Sequence, residues 1–259
     1  MPQYTDQLQR SIDIPSTPQR IISLVPSLTE LLFDLGLGDR VVGITKFCIH
    51  PEEWFRSKTR VGGTKQLKHE VIAQLQPDLI IANKEENTRA DVEALMPDYP
   101  VWVSDVNTLE EALDMMQRLG EITETREKAG ALVSEIQESF KQLATLGSQR
   151  VLYLIWQKPW MAAGRDNFVH EMLECCGWEN VVQDTRYPEL SDQEIRELDP
   201  EIVMLSSEPF PFQEKHIDSM QTLLPNAKVI LVDGEMFSWY GSRLRYSAAY
   251  FQQLLHSTK

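Results

Sequence analysis

The stretch Arg20-Ile21-Ile22-Ser23-Leu24-Val25-Pro26-Ser27-Leu28-Thr29-Glu30 is an apolar strand run that breaks at a proline and turns into a helix. Arg150-Val151-Leu152-Tyr153-Leu154-Ile155 answers it, again an arginine followed by an apolar run. Each copy continues into a helix that ends on glycine, from Glu30 to Gly36 and from Glu171 to Gly177. Val41-Val42 and Val181-Val182 come next at similar distances. Further on, Leu75-Gln76-Pro77-Asp78-Leu79-Ile80 pairs with Leu198-Asp199-Pro200-Glu201-Ile202-Val203, and Val101-Trp102-Val103-Ser104-Asp105 with Val229-Ile230-Leu231-Val232-Asp233. These correspondences, all in one order, read as a unit written twice. Repeats of about 20–50 residues build solenoids, whereas a period this long builds two lobes. Two similar lobes facing each other enclose a cleft, the usual place for a ligand. A receptor is the leading reading.

Between the copies, Leu132, Val133, Ile136, Phe140 and Leu143 fall at helical spacing with charged and amide residues on the other positions. Thr123 or Thr125 is placed to cap this helix and Gly147 to end it. At about 1.5 Å per residue it spans roughly 35 Å, the width of a lobe. The expected organisation is an N-terminal arm over 1–19, an α/β lobe over 20–121, a linking helix over 122–147 and a second α/β lobe over 148–259. Strands are expected near 20–25, 40–45, 59–62, 78–82 and 100–103, then near 150–155, 181–182, 202–206 and 228–232. They are short apolar runs without strict alternation, as in sheets covered by helices on both faces. The predicted fold is α/β, two doubly wound lobes joined by a single long helix with the ligand cleft between them.

The chain has 259 residues, 42% hydrophobic and 25% charged, with a formal net charge of -14. That balance permits a full core and argues against nucleic acid or anionic lipid as partners, since both reward basic patches. No run approaches the 18 or so apolar residues of a membrane span. The start, Met1-Pro2-Gln3-Tyr4-Thr5-Asp6-Gln7, has neither the basic nor the apolar region of a secretory signal. Such a chain is expected in the cytoplasm if it stands whole, and nothing in it calls for more than a monomer. Of three cysteines, Cys175 and Cys176 are adjacent and Cys48 is distant, which suits reduced thiols.

Gly36-Leu37-Gly38 comes after a helix instead of opening one, so it reads as a helix end and not as a dinucleotide fingerprint. Cys48 and His50, in Lys46-Phe47-Cys48-Ile49-His50-Pro51, are the most enzyme-like pair. In an extended segment both point to one side, as a nucleophile–base pair or a soft-metal site requires. The plainer reading is loop packing, and metal ligation by Cys48 and His50, with Glu85 and Asp233, is the alternative. A broader signal comes from the residues just past each strand. Pro26-Ser27, Lys46-Phe47, Thr64-Lys65 and Asn83-Lys84 stand at the ends of first-lobe strands. Trp156 through Trp160, Arg186-Tyr187 and Asp233 through Trp239 to Arg243 stand at the ends of second-lobe strands. Aromatic area and cationic donors thus recur where doubly wound sheets bind ligands.

These residues resemble class III periplasmic binding proteins, the helical-backbone receptors of ABC importers for cobalamin, ferric siderophores and haem. The likeness is carried by Arg20 to Glu30, Gly63 to Asp78, Asp105, the central helix and Trp156 to Gly164, and is strongest toward the cobalamin-binding branch. It implies a non-enzymatic receptor for a bulky metal chelate, a corrinoid or ferric siderophore, with no covalent cofactor and with an ABC permease as partner. It also implies a periplasmic or envelope location. By this resemblance Glu70 matches the acidic residue offered to the permease, while the second lobe has Gln193 at that place with Glu194 beside it. Asp233 and Arg243 match ligand-facing positions, and Trp54, Trp156 and Trp239 lie in ligand-facing segments. A corrinoid-handling cytoplasmic protein or enzyme using Cys48 and His50 is the runner-up.

Overall fold

The computed structural model describes residues 2–143 and 148–258. They divide into two compact units. The first comprises Met1–Val106, Glu110–Glu135 and Tyr240–Arg243; the second comprises Asn107–Leu109, Ile136–Trp239 and Leu244–Lys259.

In the first unit, β1 (Gln3–Thr5) and β2 (Ser11–Asp13) form an antiparallel hairpin. Next come β3 (Ile21–Ser23), α1 (Pro26–Asp34), β4 (Val41–Ile44), α2 (Glu52–Ser57) and β5 (Thr59–Arg60). A small hairpin of β6 (Gly62–Gly63) and β7 (Gln66–Leu67) leads to α3 (His69–Leu75), β8 (Leu79–Asn83), α4 (Arg89–Leu95) and β9 (Val101–Ser104). The main sheet runs β5-β4-β3-β8-β9, all parallel. Ile21, Ile22, Ile80, Ile81 and Trp102 lie fully buried between helices, which is why these strands read as continuous apolar runs. Each such side chain contributes roughly 1.5–3 kcal/mol through burial.

The N-terminal hairpin is part of this unit. β9 is an edge strand, and the arm satisfies its outer backbone groups. The Gln7 N–H donates to Val103 O, Val103 N–H to Asp6 Oδ2, and Asp105 N–H to Gln7 Oε1. Arg10 Nη2 adds a bond to Val101 O. Covering an edge in this way removes a template for unwanted strand pairing.

Helices α5 (Leu109–Ile122) and α6 (Arg126–Lys141) come next. Sequence periodicity runs the linking helix from 122, but α6 begins at Arg126. Glu124 takes a left-handed backbone (φ 56), and the Thr123 hydroxyl closes α5 by donating to Leu119 O. Residues 126–135 of α6 belong to the first unit and 136–141 to the second. The expected end at Gly147 lies outside the described residues.

The second unit holds β10 (Arg150–Trp156), β11 (Trp160–Ala162), α7 (Phe168–Cys175), β12 (Glu179–Asn180), β13 (Glu189–Leu190) and α8 (Asp192–Leu198). It continues with β14 (Ile202–Ser206), α9 (Glu214–Leu223), β15 (Lys228–Val232), α10 (Glu235–Ser238) and α11 (Leu244–Ser257). Its sheet runs β13-β11-β10-β14-β15, with β12 beside the start of β10. β10, β12, β14 and β15 are parallel, while β11 and β13 add antiparallel strands at one edge. Leu152, Leu154, Val203, Leu205, Ile195, Phe212 and Met220 make its core. One departure from the expected boundaries bears on the site. Tyr240–Arg243, assigned by sequence to the second lobe, pack with the first unit.

Candidate functional site

In the first unit the carboxyl ends of β3, β4 and β8 present a surface built from the loops beyond them. Pro26 opens α1, and its missing N–H costs nothing at a first helical position. After β4, the loop is held from beneath by Cys48. The Thr29 hydroxyl lies 3.1 Å from Cys48 Sγ and the Thr45 hydroxyl 3.2 Å, while Thr29 also bonds Ser23 Oγ at 2.8 Å. With Cys48 turned inward, Lys46 lies exposed, and Phe47 and Ile49 project at 50% and 46% exposure. Lys46 Nζ sits 4.9 Å from the Phe47 ring centroid, a cation–π contact. Lys65 donates to Glu85 O, and exposed Lys84 pairs with Asp105 at 2.6 Å. Lys46, Phe47, Lys65 and Lys84 are therefore exposed on the loops beyond these strands, and Ile49 is exposed with them.

Other assigned residues are structural. Asn83 is buried; its amide nitrogen bonds Ser104, and its oxygen accepts the Glu85 and Glu86 N–H groups. It shapes the loop and has no group left for a ligand. Trp54 is 2% exposed, edge-on to Phe33 at 5.4 Å with Lys58 Nζ over its ring at 5.2 Å, because α2 turns it into the core. Ser27 is buried beneath Gly241, where an added Cβ would stand 2.3 Å from Ser27 O. Glycine is needed there for close approach. That contact brings in Arg243, whose fork closes on Glu30 at 2.9 and 2.6 Å, with side chains 12% and 16% exposed. Arg243 is therefore committed to an internal ion pair, contrary to the ligand-facing role expected of it. Burial raises the Glu30 carboxyl above its ordinary value, although Arg243 lowers it.

The Cys48–His50 metal reading also fails on geometry. Cys48 is fully buried, and burial raises its thiol and disfavours the thiolate that a metal needs. His50 is half-buried and near enough to Glu30 to act on its charge. Among the described residues no three His, Cys, Asp or Glu groups stand together as a metal site.

In the second unit, β10 ends at Trp156, 39% exposed, whose indole meets Phe210 at 5.5 Å and 69°. Phe210 touches Phe212, and Trp160 stacks on Phe212 with its indole N–H on Asp192. This aromatic group lies at the carboxyl end of β10 and on the loop after β14, with Trp156 its exposed member. Asp233 accepts the Glu235 N–H in a local turn, and its own N–H donates to the Tyr250 hydroxyl. Trp239 is 6% exposed, and its indole N–H and the Ser238 hydroxyl both donate to Glu208 Oε1. It is buried against Glu208, although its segment was expected to face the ligand. Burial raises the Glu208 carboxyl, with Glu235 and Asp233 adding repulsion against the lowering from Ser238 and Trp239.

Of the two acidic residues the sequence set against a permease, Glu70 is exposed in the first turn of α3, and no hydrogen bond or ion pair engages its carboxylate among the described residues. Glu194 is spent locally. Its Oε2 accepts both the Ser191 N–H and hydroxyl at 2.7 Å, closing a capping box on α8. Those bonds hold its carboxyl below the ordinary value.

The pattern of the periplasmic binding protein family matches residues 21–225, and the chain belongs to that family. It is a substrate-binding protein with a two-lobed, class III fold and not an enzyme. A vitamin B12-binding protein of Vibrio parahaemolyticus serotype O3:K6 (strain RIMD 2210633) is 28% identical over 195 residues, covering 73% of this chain and 70% of that one. An uncharacterized ABC transporter substrate-binding lipoprotein, YvrC of Bacillus subtilis (strain 168), is 29% identical over 212 residues, 77% and 67% of the two chains. Among solved structures, the periplasmic vitamin B12 binding protein BtuF of Vibrio cholerae superposes with a TM-score of 0.81 at 23% identity, over 94% of this chain and 99% of that one. The siderophore binding protein BauB, bound to two molecules of acinetobactin and ferric iron, superposes with a TM-score of 0.82 at 19% identity, over 98% of both chains. These two likenesses establish the fold.

Proposed function

We propose that this protein binds a bulky, partly planar metal chelate, a corrinoid before a ferric siderophore or haem, and delivers it unchanged to an ABC permease from the cell envelope. The relatives named as vitamin B12-binding carry the corrinoid preference. The physical support is the aromatic face of Trp156 and Phe210 in the second unit and the Lys46, Phe47 and Ile49 edge in the first. Flat rings cover a macrocycle or catecholate, and lysines answer its acceptor or anionic groups. Trp160, Lys65, Lys84 and Asp233 complete the assignment at the margins of these faces.

Burying Trp156 against a ligand is worth on the order of 2 kcal/mol, so Trp156→Ala is expected to weaken binding about 30-fold. Cyanocobalamin, haemin and a ferric catecholate siderophore are titrated against tryptophan fluorescence in both forms. Undiminished affinity in Trp156→Ala removes that face from the site.

Glu70 is assigned to the permease and Glu194 to its own helix. Glu70→Ala should weaken capture by a reconstituted cobalamin-importer permease at low salt, and Glu194→Ala should leave it largely intact. Equal losses would return Glu194 to the docking surface.

A further inference from the structure

The face that carries Trp156 rests on an unusual helix start. Phe210 meets His216 at 5.4 Å and 70°, and Phe212 meets the same imidazole at 5.4 Å and 88°. His216 thus packs against both of the touching rings that support Trp156 and Trp160, and it is 8% exposed. It occupies the third position of α9, where a Glu or Gln ordinarily accepts the N–H of the capping residue. Here the acceptor is His216 Nδ1, 2.8 Å from Gln213 N. A ring nitrogen accepts only without a proton of its own, so this bond requires a neutral imidazole with its proton on Nε2. Nδ1 also lies 3.1 Å from Gln213 O. On protonation it must abandon the N–H and can only donate to that oxygen. The ring has two partners on one residue, and whether Nδ1 carries a proton selects between them.

Other charged groups on the surrounding elements leave this choice to the imidazole. Glu214, Lys215 and Asp218 of α9 are exposed. Glu208, on the loop before Phe210, is engaged by Ser238 and Trp239, and Asp192 of α8 by Trp160. None of them bonds the imidazole among the described residues.

We propose that His216 is a positioning residue that holds the Trp156–Phe210 face in place while neutral and releases it when protonated, so that affinity at this face falls on acidification. The proposal rests on reading that face as part of the ligand site, but its first test needs no ligand. Near-ultraviolet circular dichroism of the full chain is recorded at about pH 7.5 and about pH 5, a span in which imidazoles change charge. The Trp156→Phe variant isolates the band due to Trp156. The expected result is loss of that band at the lower pH in the wild type and its retention in His216→Gln, whose amide oxygen accepts the same N–H at either pH. His216→Phe, which keeps a ring and lacks the acceptor, should give a band that does not respond to pH. A wild-type Trp156 band indifferent to pH, or an equal loss in His216→Gln, overturns the proposal.

The second arm is a cyanocobalamin titration at both pH values. The wild type should bind several-fold more weakly at the lower pH, and His216→Gln should not. An equal decline in His216→Gln overturns the link to affinity. If the band responds as expected while cyanocobalamin, haemin and ferric siderophore all fail to bind, the functional reading falls and the His216 device stands.

Discussion

Replacing Glu30 by alanine is expected to destabilise the first unit by about 3–5 kcal/mol, because it leaves the Arg243 guanidinium buried without its carboxylate. Both side chains are less than a fifth exposed, at 16% and 12%, so solvent does little to screen the loss. The Arg243→Ala variant should cost a similar amount, and the two losses should not add, since each removes the same pair. A double replacement by methionines should recover most of the stability, as similar-sized apolar groups often do. Urea unfolding of the four proteins measures this directly. Additive losses would show that Glu30 and Arg243 act separately. The pH dependence is set by the raised carboxyl of Glu30. Its folded state holds the proton more tightly than the unfolded one, so its contribution is present below the ordinary value of 4.5 and is lost as pH rises through the raised value. The penalty of Glu30→Gln should therefore shrink from about pH 4 to pH 7, and acid should not unfold the protein through this residue.

Asp6→Ala should detach the N-terminal hairpin and lower stability by about 3 kcal/mol or more. The Asp6 side chain is fully buried and accepts bonds from the Leu8, Arg10 and Val103 backbone N–H groups and from the Arg10 guanidinium. Without it the guanidinium loses its carboxylate, and the outer edge of β9 loses its cover. A fall in Tm of about 10 °C is expected for a chain of this size, together with concentration-dependent aggregation from the bared edge. Thermal melts and light scattering test both parts. A variant that melts like the wild type would make the arm an appendage.

The frame of this molecule was legible because its strands are short apolar runs and its helices end on marked residues. The runs at 78–82, 202–206 and 228–232 meet Leu79–Asn83, Ile202–Ser206 and Lys228–Val232. Elements with weaker patterns were missed. The α2 segment is six residues long, and α9 opens on Gln213 with a histidine at its third position, which no ordinary start signal describes. Site residues divided by what local sequence can express. An aromatic or lysine just past a strand end can be read as exposed, as Phe47 and Trp156 are. Whether it turns inward depends on partners far along the chain. Trp239 turns toward Glu208, Arg243 toward Glu30 and Cys48 toward Thr29, and no spacing rule foretells those bonds. The Tyr240–Arg243 segment is the sharpest case, since Gly241 looks like a turn residue and instead fits against Ser27 O.

The most direct measurement of the central claim is isothermal titration of the purified chain with cyanocobalamin, beside haemin and a ferric catecholate siderophore. Saturable binding of cyanocobalamin at one molecule per chain, micromolar or tighter and thus about 8 kcal/mol or more, is the predicted result. Failure of all three chelates to bind would contradict the account.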